Sequence, residues 1–66
     1  MPSAPRVAAT VQIGDVVHLD DGTAHTVHTT IVTDAAMGGL TLVLRFTDGG
    51  VLRVGAGVEL DVERPQ

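Results

Sequence analysis

From Val11 to Val62 apolar side chains return at every second position, the spacing that lines one face of an extended backbone. Val11, Ile13, Val17 and Leu19 predict a first strand interrupted at Gly14-Asp15, where glycine admits a bend or bulge. Asp20-Asp21-Gly22-Thr23 is a turn signal, and a second strand runs from about Ala24 to Thr33. Setting Val17 opposite Val27 and Leu19 opposite His25 keeps the apolar positions on one side. Asp34 to Gly39 breaks the alternation and reads as a mobile loop, with room for at most one helical turn over Asp34–Met37.

The clearest element follows. Leu40, Leu42, Leu44 and Phe46 alternate with Thr41, Val43, Arg45 and Thr47, which predicts the central strand of the core. Asp48-Gly49-Gly50 closes a second hairpin, with Phe46 opposite Leu52 and Leu44 opposite Val54. Gly55-Ala56-Gly57 leaves space for a sharp corner or a single 3₁₀ turn, and Val58, Leu60 and Val62 form a last strand that Pro65 ends. The pattern predicts an all-β domain of five antiparallel strands over 11–64. Residues 1–10 read as a flexible N-terminal arm, because Pro2 and Pro5 withhold backbone donors and the residues around them bury little.

This strand spacing resembles the Src homology 3 (SH3)-like small barrel. The resemblance is carried by Gly14-Asp15-Val16-Val17, the turn at Asp20–Thr23, the hairpin from Phe46 to Leu52 and the corner Gly55–Gly57 leading into Val58–Val62. It implies a fold and no ligand, because the tyrosine- and tryptophan-rich groove of peptide-binding members and the aromatic cage of Tudor-like members are both missing. The chain is also similar in tone to small barrels encoded by actinobacteria and their phages, which implies an accessory or assembly role.

Composition narrows the chemistry. With 66 residues the domain is near the size at which burial and chain entropy almost cancel, and it has no cysteine to staple it. Phe46 is the only aromatic, so aromatic cages, proline-rich peptide grooves and stacking platforms for single-stranded nucleic acid lack their rings. Arg6, Arg45, Arg53 and Arg64 face eight carboxylates for a net charge of −4, which repels a phosphate backbone. No segment has the pattern of a signal peptide or a membrane span, so a cytoplasmic protein is expected, or a virion component if phage-encoded.

The predicted register sets Arg45 directly against Arg53 on an outer face, a like-charge pair compensated by an anion, a partner's carboxylate or a nucleic-acid contact, or else screened by Glu59, Asp61 or Glu63 or simply by bulk water. Arg6 would add a third cation from the arm. His18 and His28 point outward and sit diagonally, either as surface residues or as a weak metal or pH-sensitive patch. No metal site is expected, because no third ligand stands at a defined spacing. His25 falls on the core-facing rim.

Ser3 is the only serine, no element orients a nucleophile with His and Asp, and so small a barrel encloses no pocket of the ~300 Å³ that a substrate requires. No enzyme, no cofactor and no small-molecule substrate are therefore expected. Val16, Val32, Val43 and Val51 take outward parity and Met37 tops the loop, so together they form a candidate apolar patch for a protein partner or for self-association. The expected function is a non-enzymatic interaction and assembly module, with a nucleic-acid-associated protein as the alternative.

Overall fold

Two turns of one design set the frame. In Leu19-Asp20-Asp21-Gly22-Thr23 the Leu19 N–H donates to the Thr23 carbonyl at 2.8 Å, and in Phe46-Thr47-Asp48-Gly49-Gly50 the Phe46 N–H donates to Gly50 at 2.9 Å. Gly22 and Gly49 take φ of +86° and +92°, the left-handed step that ends a three-residue hairpin loop. The aspartate before each glycine accepts the N–H two residues on, Thr23 to Asp21 at 3.0 Å and Gly50 to Asp48 at 2.9 Å.

The computed structural model describes residues 3–34 and 38–65. Its elements are β1 (Ala4–Val7), a 3₁₀ turn (Ala8–Thr10), β2 (Val16–His18), β3 (Ala24–Asp34), β4 (Leu40–Phe46), β5 (Val51–Gly55) and β6 (Glu59–Glu63). Every pairing is antiparallel, in the order β1-β6-β2-β3-β4-β5. The described residues thus form an open six-stranded sheet with edges at β1 and β5, not a closed barrel of five.

The extra strand lies in the segment expected to be an arm. Proline is tolerated there because β1 is an edge, where a missing ladder donor costs least; Pro5 stands opposite Asp61. Beyond β1, Ala8 N–H reaches Val58 O at 2.8 Å and Ala9 N–H reaches Ala56 O at 3.1 Å, tying the 3₁₀ turn to the β5–β6 corner. That corner is a tight turn closed by Val58 N–H on Gly55 O at 3.0 Å.

Because the left-handed step falls on Gly22 and Gly49 as the third residue of each loop, both hairpins slip two residues from the expected register. Val17 faces His25, Leu44 faces Leu52, and Arg45 faces Val51. A slip of two keeps every side chain on its own face, so the core survives: Val17, Val27, Leu42, Leu44, Phe46 and Val62 are buried, with Ala8 of the 3₁₀ turn and Val11 just after it. Ile13 does not join them and is 69% exposed. The first expected strand begins only at Val16, since Gln12 to Asp15 form a turn with Gly14 at φ +93°.

β3 serves both halves of the sheet. Its start pairs with β2, its remainder with β4, and the register shifts between Val27 and Thr29, leaving His28 as a bulge. A bulge bends the strand and inverts its alternation. Ile31 is therefore turned outward beside Val43, while Val32 shares the inward side with Leu42.

Candidate functional site

The outer face of β3–β4–β5 is built by two cross-strand rows, Thr29–Arg45–Val51 and Ile31–Val43–Arg53. The register slip separates the expected arginine pair: Arg45 and Arg53 stand diagonally, each opposite a valine, which removes the direct like-charge clash. They still border one shallow groove, with Ile31, Val43 and Val51 as its floor and walls. Ile31 and Val51 are exposed, and among the described residues neither arginine forms an ion pair. Asp34 is the only acid on these three strands, and it takes the opposite parity, facing Leu40.

Of the expected apolar patch, Val43 and Val51 meet here. Val32 is exposed but shares the side of Leu42, and Val16 is half-buried on β2, opposite Glu63, so neither joins them. Met37 lies outside the described residues. Ile31 was hidden by the bulge, since simple alternation along β3 places it inward.

A second groove of about 420 Å³ continues past Arg45 toward the β4–β5 turn, lined by His28, Thr29, Thr47, Gly49 and Gly50. It exceeds the concavity expected of so small a sheet, but it is open to solvent rather than enclosing.

The two turns are joined by side chains. His25 Nδ1 lies 2.6 Å from Asp48 Oδ2, its Nε2 lies 2.9 Å from Thr23 Oγ1, and the Thr23 hydroxyl donates to Asp21 Oδ1 at 2.6 Å. The ring stacks on Phe46 with centroids 4.9 Å apart. A carboxylate–imidazole–hydroxyl series is oriented after all, contrary to expectation, and the turns orient it. Its chemistry is that of a clip. The Thr23 hydroxyl donates to Asp21, and the N–H groups of Gly22 and Thr23 are already bonded within the turn. The Thr23 hydroxyl and N–H hold the Asp21 carboxyl below the usual aspartate range, and the Gly50 N–H and His25 do the same for Asp48.

A second polar cluster escaped the sequence pattern. Asp15 is 2% exposed and accepts Arg64 Nε and Nη2, each at 3.1 Å, and the Gln12 N–H at 2.9 Å. Arg64 also donates to Thr10 O at 3.0 Å. Burial pushes the Asp15 carboxyl up, but the Arg64 and Gln12 hydrogen bonds, with the charges of Arg64 and Arg6, outweigh it and leave it below the usual range.

Arg6 itself is half-buried opposite Leu60 on β6 and does not join Arg45 and Arg53. His18 and His28 are likewise apart. The slip sets His18 against Ala24 and Asp61, in a groove with Leu52, Val54 and Leu60, whereas His28 lines the groove of Arg45. Among the described residues no group of three or more His, Cys, Asp or Glu is assembled for a metal, and no helix is long and apolar enough to cross a membrane.

The remaining outer face, on β1–β6–β2, has the opposite character. Glu59, Asp61 and Glu63 alternate along β6 with the inward Leu60 and Val62, and His18 Nε2 lies 3.5 Å from Glu63. The fold thus defines a small open antiparallel sheet with one cationic and apolar face and one acidic face. Comparison with known proteins finds no matching family model, no similar curated protein and no similar solved structure.

Proposed function

We propose that this chain is a non-enzymatic assembly module of SH3-like architecture that docks protein through the outer face of β3–β4–β5. The architecture is supported by the run β6-β2-β3-β4-β5 around a shared, bulged β3, by the three-residue hairpins, and by the corner between β5 and β6. One observation carries the function: Ile31, Val43 and Val51 lie exposed or half-buried between two arginines that have no ion pair among the described residues. Apolar contacts bordered by unpaired arginine suit a protein surface that offers aliphatic side chains and carboxylates. An accessory role of the kind the phage-barrel resemblance implies fits this surface.

A photo-crosslinking residue at Val51, introduced into the full chain in its source cells, tests the reading. A crosslinked protein product that Arg45→Glu with Arg53→Glu abolishes is expected, and its mass reports whether the partner is this chain or another. A control placed at exposed Thr10 should yield none; equal products from both positions, or none from Val51, would overturn the docking face.

The diagonal arginines also favour a second reading, a nucleic-acid contact. Two cations neutralise at most about two phosphates, a salt slope near −2, against a net charge of −4. Binding to labelled duplex or single-stranded DNA at low salt, lost in Arg45→Ala with Arg53→Ala, is what this reading requires.

A further inference from the structure

We infer that the occupant of the β3–β4–β5 face is the acidic β1–β6–β2 face of a second copy of this chain, packed head to tail. This rests on the docking reading above and names its partner. The two faces match in charge, because one holds Arg45 and Arg53 with no acid and the other holds Glu59, Asp61 and Glu63. They also match in spacing. Alternate residues along a strand lie ~7 Å apart, which sets the step between the β6 carboxylates, and diagonal positions on neighbouring strands such as 45 and 53 lie ~7–8 Å apart.

Each face supplies apolar material beside its charges, Ile31, Val43 and Val51 on one and, opposite Glu59 and Glu63, Val7 and Val16 on the other. Since the faces differ, a bound pair still keeps one face of each kind free, and the contact repeats into rings or short filaments. A face three strands wide and five residues long covers only about 14 by 17 Å, well under the ~800 Å² per partner of a standard interface. Association is therefore weak and salt-labile.

Sedimentation velocity of the full chain across a concentration series tests this at about 0.01 M salt, where charges reach ~30 Å, and at about 0.15 M, where they reach ~8 Å. Concentration-dependent association at low salt, weakened at least tenfold at the higher salt, is expected. Arg45→Glu with Arg53→Glu should remain monomeric, as should Glu59→Arg with Asp61→Arg, and mixing the two should restore association. Circular dichroism checks that each is folded, and Arg45→Gln with Arg53→Gln gives the same loss if charge reversal unfolds the chain.

A wild type that is monomeric at both salts, or a mixture that stays monomeric, overturns self-association. The Val51 crosslink separates the two failures: a product with a different chain retires the second copy and keeps the docking face, whereas no product removes both.

Discussion

Asp15 is the one buried carboxylate among the described residues, and its partner Arg64 lies 49 positions along the chain. Asp15→Ala strands the Gln12 N–H and frees Arg64, a loss of about 2–3 kcal/mol read by urea denaturation. With Arg64→Ala added, the double variant should be less destabilised than the sum of the singles, because both remove the same contact. The folded Asp15 is more acidic than the unfolded residue, whose value is about 3.9. Its contribution is present above that pH and disappears as pH falls through the lower folded value. Thermal unfolding should thus show a loss below pH ~4 that is smaller in Asp15→Asn, the remainder coming from Asp21 and Asp48, whose carboxyls are also held below the usual range. Nothing local in the sequence marks this pair, since Gly14-Asp15 reads as a bend and Arg64 as a terminal charge. His25 was placed correctly on the rim, but its links to Asp48 and Thr23 depend on two turns meeting across 23 residues.

The hairpins, at the scale of elements, were largely legible. Alternation from Leu40 to Phe46 coincides with β4, and both Asp-Gly signals are turns. The register differs from the expected one by two residues because glycine stands at the left-handed end of the first loop and not at its centre. Gly22 and Gly49 have open space where a Cβ would stand, so Gly49→Ala tests backbone conformation alone. A cost of about 1–2 kcal/mol is expected, with partial recovery in Gly49→Asn, both by chemical denaturation. The bulge was not legible, for His28 carries no glycine or proline to announce it. His28→Ala should change stability by less than ~0.5 kcal/mol, whereas deleting His28 forces one part of β3 onto the wrong face and should abolish the folded circular dichroism spectrum.

Over the whole molecule, composition and periodicity conveyed the class and the core, and they missed how charge is distributed. The net charge of −4 conceals a division: the carboxylates of β6 gather on one outer face and the two β4–β5 arginines on another. Alternation along β6 already aligns its three carboxylates, but only the pairing order and register place them on a face apart from the arginines, so in the sequence they appeared merely as possible screening. Prolines concealed β1 because they argue against a strand everywhere except at an edge, and edge position is a property of the assembled sheet.

The pairing of β1 with β6 dictates an order of assembly. The links β2–β3, β3–β4 and β4–β5 are hairpins or near-hairpins, whereas Ala4 meets Val62 and Arg64 meets Thr10 across almost the entire chain. Closing a loop some tenfold longer adds about 2 kcal/mol of chain entropy. The hairpins can therefore form first, with the terminal ladder joining last and opening first. Native-state amide exchange should find the β1–β6 bonds exchanging through an opening that leaves β3 and β4 protected, and equal protection across all six strands would show that the sheet opens only as a whole.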